Sequence, residues 1–346
     1  MGAGSGPWTE PGAFPVAPGV YRIPLPLPND GLHAVNVYAV ESADGLVLID
    51  SGWALQEARD LLESALGSIG HGFEDITRFL ITHMHRDHYT LAVELRRMFG
   101  ARIALGVGEQ PNFDAVHGGS GEAQLAEIAR WGATDLVEKL RELYTKDNSA
   151  QAKSVYELPD DWIPGAQDIR LGDRTLRAVP TPGHTRGHVV FADPAASLMF
   201  SGDHVLPHIT PSIGFEPARA ELPLGAYLDS LRLTRTLPDM RLLPAHGPVT
   251  DSVHTRVDEL LLHHEERLAA TEVVVRDGAA TAFEAASRLA WTRRGRAFDE
   301  LDTFNRTLAV GETAAHLDVL VVRGALKSSI VDGVVEYVPL PGDPKR

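Results

Sequence analysis

Two hydrophobic periods alternate along the first 250 positions, and their alternation predicts a layered α/β chain. Asn36–Val40 and Leu46–Asp50 are short β-rich runs separated by Ala43-Asp44-Gly45, whose Asp-Gly pair predicts a hairpin. From about Leu55 to Leu66 the apolar positions recur at helical spacing. Ile76–Thr82 predicts a strand, Leu91–Phe99 a helix closed by Gly100, and Arg102–Leu105 a further strand. Gly121–Tyr144 carries long helical periodicity and interrupts the strand pattern, as an insertion that either shapes a pocket or packs as a surface helix. Strands return at Ile169–Leu171, Thr175–Pro180, Val189–Ala192 and Leu198–Ser201. A helix is expected over Leu224–Leu237 and a short strand over Arg241–Ala245, ending at His246.

From Ser252 the texture changes. Helical periodicity dominates to about Arg323, and two β-like runs, Ser328–Ile330 and Val334–Val338, then flank the turn Asp332-Gly333. The expected organisation is an N-terminal tail over 1–18, a main domain over 19–250 and a smaller, mainly helical domain over 251–346. The Gly- and Pro-rich start reads as a tail or a strand lying on the surface.

A length of 346 residues suits a large domain plus a smaller one. Lys+Arg 32 against Asp+Glu 47 leaves a net charge of −15, which repels phosphate backbones unless a local basic patch intervenes. The nearest such run, Arg293, Arg294 and Arg296, is short and reads as a solvated helix end. Nucleic acid is therefore a disfavoured partner and a small molecule the expected one. With no cysteine, the chain has no disulfide, no thiolate zinc site and no cysteine nucleophile. Neither a signal-peptide pattern nor a bilayer-length apolar run occurs, so a cytoplasmic protein without a membrane partner is expected.

The chemistry concentrates in Thr82-His83-Met84-His85-Arg86-Asp87-His88, at the end of an apolar strand. In extended chain alternate side chains share a face, so His83 and His85 can converge on one metal. Asp87 and His88 follow as the chain bends toward a helix and can meet a second metal. Thr181-Pro182-Gly183-His184-Thr185, Ser201-Gly202-Asp203 and Pro244-Ala245-His246-Gly247 each place a ligand-type residue at a strand end. Alone, any one of these would pass for a turn residue; with the His cluster, each supplies a missing ligand. One metal takes His83, His85 and His184, the other Asp87, His88 and His246, and Asp203 bridges them. Imidazole and carboxylate donors suit two divalent cations, zinc first, with manganese or iron also accommodated. Water held by such cations loses its proton near neutral pH, which makes hydroxide the nucleophile and Asp87 and Asp203 catalytic as well as ligating.

In this order the T-H-x-H-x-D-H, T-P-G-H-T, G-D and A-H-G elements resemble the metallo-beta-lactamase superfamily over roughly Val20–Val249. The resemblance implies a four-layer αβ/βα sandwich with the metals at one edge, and the same ligand set. It also implies that Asp50, in Leu48-Ile49-Asp50-Ser51-Gly52, supports the ligands from behind. The lack of cysteine together with Asp203 separates the chain from penicillin-destroying members, and His85 separates it from flavo-diiron oxygen reducers, which carry glutamate there. The ligand set looks instead like glyoxalase II, related thioesterases, lactonases and metallo-RNases. Thr307–Leu317, with Leu320 and Gly324, is similar to the winged-helix tail of lactamase-beta-like hydrolases; relatives often pair, which makes a homodimer possible and leaves the oligomeric state open.

The expected activity is hydrolysis of an ester-like acyl bond, foremost a coenzyme A or glutathione thioester. The alternatives are a metallo-endoribonuclease and a hydrolase of lactones or other carboxylic esters. His188, His204, His208, Tyr89 and Trp53 are weaker candidates for orienting the metals or meeting substrate, as residues on or beside the same loops. His263 and His264, on a predicted helix, are expected to be solvated, with Glu265 and Glu266 as surface charge.

Overall fold

The computed structural model describes residues 8–28, 31–119, 121–146, 154–291 and 295–340. The first sheet contains β1 (Phe14–Ala17), β2 (Val20–Pro26), β3 (Ala34–Ser42), β4 (Gly45–Ile49), β5 (Ile76–Leu80), β6 (Arg102–Gly106) and β7 (Asp161–Ile163), ordered as in the sequence. Its first four strands pair antiparallel and β4 to β7 pair parallel. The second sheet runs β12-β11-β10-β9-β8, from β8 (Gln167–Leu171), β9 (Arg174–Pro180), β10 (Val189–Asp193), β11 (Leu198–Gly202) and β12 (Arg241–Pro244).

Strand alternation places each sheet between two apolar layers. In β4, Val47 and Ile49 face the second sheet, where they meet Phe191, Phe200 and Leu243. Leu46 and Leu48 point the other way, toward α1 (Gln56–Ser68) and α2 (Arg86–Phe99), among Leu62, Leu66 and Leu95. In β10, Val189 and Phe191 point into the inter-sheet core. Val190 and Ala192 point outward, under the helix Pro223–Thr236 and the helices that follow it. Helix, sheet, sheet, helix is the four-layer αβ/βα order. Each fully buried aliphatic side chain adds about 1.5–3 kcal/mol to its stability.

Three elements differ from the expectations. Residues 14–17 and 20–26 form strands β1 and β2, so part of the expected tail is an edge strand. The insertion is two helices, α4 (Gly121–Arg130) and α5 (Thr134–Lys146), preceded by α3 (Gln110–Gly118) and separated at Gly132, whose φ of 83° favours glycine. Leu125, Ile128, Leu136 and Leu140 pack into the same apolar cluster as the C-terminal helices. Helix α2 starts at Arg86 rather than Leu91, which puts Asp87 in its first turn, where a carboxylate is favoured.

After α6 (Pro223–Thr236) come α7 (Val253–Arg276), α8 (Ala282–Arg288) and α9 (Thr303–Val322). Each of these last three is capped by a side chain, Ser252, Thr281 or Asp302, that accepts a backbone N–H of the first turn. The hairpin β13 (Leu326–Val331) and β14 (Val334–Pro339) follows. Helical periodicity without a strand pattern made His264 look solvated, and here the structure corrects the reading. His264 is fully buried between α7 and α9, its Nδ1 3.2 Å from Nε2 of His316. Burial, then His316, pushes its pKa down to about 2, so the ring is neutral. His263 is exposed, and exposed Glu265 pairs with Arg323 at 2.7 Å.

Candidate metal centre

The parallel strands deliver their C-terminal ends to one edge of the sandwich, and the candidate ligands gather there. His83 and His85 lie between β5 and α2, His184 on the turn after β9, Asp203 after β11 and His246 after β12. His83 Nε2 is 2.9 Å from His85 Nδ1, and His184 Nε2 lies 3.2 Å from the first and 3.0 Å from the second. Asp203 Oδ2 closes this first pocket at 3.4 Å from His184 Nε2. In the second pocket Asp87 Oδ2 is 3.5 Å from His88 Nε2 and 3.4 Å from His246 Nε2. Asp203 Oδ1 faces that pocket, 3.4 Å from His246 Nε2 and 3.7 Å from His88 Nε2. One carboxylate thus presents an oxygen to each group.

The outer hydrogen bonds fix which ring nitrogens carry protons. His184 Nδ1 donates to the Ser212 carbonyl at 2.6 Å, and His246 Nδ1 donates to the Ala34 carbonyl at 2.8 Å. His88 Nδ1 donates to Asp50 at 2.9 Å. Thr82 Oγ1 donates to Asp50 at 3.0 Å and so accepts from His83 Nδ1 at 3.1 Å. In the neutral rings the inner nitrogens are then lone pairs, turned into the two pockets. Among the described residues, His88 Nε2, His246 Nε2 and Asp203 Oδ1 are buried with no hydrogen-bond partner. Buried acceptors left unpaired are costly, and a divalent cation satisfies all of them at once. Both groups have the composition and spacing to hold a metal ion.

The electrostatics point the same way. Burial lowers the pKa of His83 well below its ordinary value, with His88 and His85 adding to it, and burial takes His85 down to about 3. In the second pocket burial also opposes charge on His88, yet Asp87, Asp50 and Asp203 outweigh it and hold its pKa well above the usual value. That pocket favours positive charge.

Local backbone explains the placement. Asp50, buried and held at φ 61°, accepts the Thr82 N–H at 2.8 Å, the Thr82 hydroxyl and His88 Nδ1, so it ties β4 to both ligand segments. Such a conformation in a non-glycine residue persists only where its surroundings over-determine it. Gly202, at φ 50°, leaves no room for a Cβ, which would lie 2.6 Å from Thr82 Oγ1 and 2.7 Å from His188 Nε2. That close approach lets His188 Nε2 accept the Asp203 N–H at 3.2 Å while its Nδ1 bonds Thr181 Oγ1 at 2.9 Å.

The weaker candidates separate clearly. His188 stands directly behind Asp203. His204 is buried with Nε2 on Thr234 Oγ1 at 2.9 Å, and burial lowers its pKa to about 3, so it is directed at α6 rather than toward substrate. His208 is exposed. Tyr89 is fully buried, its hydroxyl donating to the Glu157 carbonyl at 2.6 Å and its ring against Phe113, so it packs rather than lines a pocket. Trp53 is half-buried beneath the Arg86 guanidinium, 4.1 Å from the ring centre. Thr82 and the carbonyls of Ser212 and Ala34 were missed as supports. Thr82 stood in the motif itself, whereas the carbonyls leave no trace in side-chain identity. An open groove of ≈ 420 Å³ lies beside the His184 loop, lined by Val107, Gly108, Gln110, Pro111, Asp114 and Arg186.

A sequence profile of the metallo-beta-lactamase superfamily matches residues 30–246. The chain is 27% identical over 241 residues to the lactamase-like protein nscB of Aspergillus fumigatus, covering 68% of this chain and 55% of that protein. It is 36% identical to nscB of Arthroderma gypseum over 105 residues, 30% of this chain and 31% of that protein. The chain thus spans about half the length, or less, of these curated relatives. Among solved structures, a metallo-beta-lactamase family protein from Thermus thermophilus superposes with a TM-score of 0.77 at 26% identity, covering 94% of this chain and 100% of that one. A beta-lactamase domain protein from Burkholderia ambifaria gives 0.77 at 28% identity, over 95% and 94%.

Proposed function

From the premise that this chain belongs to the metallo-beta-lactamase superfamily, we propose that it is a dinuclear metal-dependent hydrolase of acyl substrates, foremost thioesters. The observation that carries the reading is Asp203, whose two oxygens face two separate histidine groups. His83, His85 and His184 would hold one cation, Asp87, His88 and His246 the other, and Asp203 both. When bound, the pair supplies Lewis acidity, acidifying water and polarising the scissile carbonyl. The chain's own residues supply preorganisation. Asp50 keeps the Nδ1 proton on His88, Ser212 keeps that of His184 and Ala34 that of His246, so each ring would meet a cation through a fixed nitrogen. His188 holds the Asp203 amide and with it the carboxylate.

An acyl substrate suits the surroundings better than RNA does. The groove lined by Val107, Gln110, Pro111, Asp114 and Arg186 holds a single cation balanced by a carboxylate, not the basic track RNA needs, and the chain carries a net charge of −15. The helices after residue 252 and their hairpin are read as a winged-helix-like appendage, the metals as zinc and the compartment as cytoplasmic. Among the described residues no helix is long and apolar enough to cross a membrane.

The test is a panel of acyl-coenzyme A and acyl-glutathione thioesters offered to metal-loaded protein. Thiol release that stops on chelation and returns with zinc is the expected result. A metal-loaded protein that releases no thiol, yet opens lactones or cleaves single-stranded RNA, would refute the thioester assignment and leave the metal-dependent chemistry standing.

A further inference from the structure

Behind the first pocket lies a buried polar chain that the metal ligands do not explain. Glu109 follows β6 and has no exposed surface. Its Oε1 accepts the Thr185 hydroxyl at 2.5 Å and its Oε2 accepts Asn112 Nδ2 at 2.7 Å, and the Met84 amide lies near enough to favour its charged form. Met84 stands between His83 and His85, and Thr185 directly follows His184. One carboxylate therefore meets both chain segments that carry the three histidines of the first pocket.

The chain continues from there. Asn112 Nδ2 also donates to Glu216 Oε2 at 2.8 Å, and Glu216 accepts the Arg186 N–H at 2.9 Å and the Ala220 N–H at 3.2 Å. Asn112 Oδ1 accepts the Ala218 N–H at 2.8 Å. The loop so fastened begins at Ser212, whose carbonyl holds His184 Nδ1. Glycines make the contact between the two segments: a Cβ on Gly187 would collide with the Glu109 backbone, and one on Gly108 would sit 2.5 Å from the Arg186 carbonyl. Among the described residues no such chain reaches the second pocket, where Asp50 and the Ala34 carbonyl orient His88 and His246.

A buried carboxylate is expensive without a nearby positive charge, and among the described residues no Lys or Arg side chain hydrogen-bonds Glu109. Glu109 is fastened to the residue that follows His184 and lies against the segment between His83 and His85, so its placement bears on all three rings of the first pocket. We propose that Glu109, extended by Asn112 and Glu216, is a positioning residue that sets the affinity of the first pocket for its cation and leaves the second pocket untouched. The inference rests on the two-cation reading above.

The test measures the two stepwise zinc affinities of the full chain by competition with a chelating dye, without reference to turnover. Glu109→Gln keeps the side chain's size but sets an NH2 group against a donor. It is expected to weaken one cation by about 10–100-fold, the range for lost supports of metal ligands, and to leave the other unchanged. Thr185→Val, which removes a single hydrogen bond, is expected to act in the same direction if the Glu109 variant folds poorly. Combined with His184→Ala, the Glu109 change should cost no further cation; combined with His246→Ala, it should weaken the one that remains. Leu268→Ala, a buried change elsewhere in the core, should lower stability without separating the two affinities. Equal weakening of both cations, or none, in the Glu109 and Thr185 variants would overturn the inference. A wild-type chain that fails to bind two cations would instead refute the function proposed above, and this inference with it.

Discussion

Asp203→Ala is expected to lower the rate of thioester hydrolysis by about 10³-fold or more, even with zinc in excess. The carboxylate lies between His184 on one side and His88 and His246 on the other. Its charge is secured by its neighbours: burial opposes it, but His246, His88 and His184 outweigh burial and lower the pKa. Alanine would remove the one group shared by both pockets and leave three histidines with no common anionic ligand. The backbone there is held independently, by His188 on the Asp203 amide and by the tight turn at Gly202, so the fold should persist. Initial rates of thiol release, beside circular dichroism of the same sample, check both halves of the expectation. Near-normal turnover in a folded Asp203→Ala protein would mean that the two pockets do not act as one site.

Asp50→Ala is expected to be the most damaging change outside the ligands, costing stability as well as metal. It removes the acceptor of the Thr82 N–H, the Thr82 hydroxyl and His88 Nδ1, all of them buried. Stranding buried donors in this way costs about 2–5 kcal/mol, and losing the support of a histidine ligand costs about 10–100-fold in metal affinity. Asparagine tolerates a positive φ and retains one acceptor oxygen, so Asp50→Asn should fall between wild type and alanine. Urea unfolding with and without zinc measures both terms. An alanine variant as stable as wild type would show that Asp50 does not hold these segments together.

The candidate metal centre was legible because its most informative residues lie close together in the chain. His83, His85, Asp87 and His88 fall within one strand-to-helix turn, and the remaining ligands each end a strand whose alternation is plain. The four layers were legible for the same reason: β4 and β10 bury both faces, and their apolar runs say so. Strand β2 was harder, because Pro24 and Pro26 argue against a strand. The sheet tolerates them because β1 pairs only as far as Arg22, so the strand has an open side beyond it. The break at Gly132 was visible in the sequence, but the helical period on both sides of it hid the turn.

What the sequence concealed depends on tertiary contact. His264 and His316 lie 52 residues apart and meet only because α7 and α9 pack together. Glu109, Asn112 and Glu216 read as ordinary polar residues of helix starts and loops; only the close approach at Gly108 and Gly187 turns them into a buried chain behind His184. His204 misled for the opposite reason. Adjacency to Asp203 suggested a role in the site, but the turn that aims the carboxylate at the histidines sends the next side chain to Thr234.

The most direct test of the account is the zinc content of the purified full chain after metal loading and removal of loose metal. Two tightly held cations per chain are predicted for wild type, with one retained when either His184 or His246 is replaced by alanine. No tightly bound cation, or a wild-type content that both replacements leave unchanged, would contradict the account at its centre.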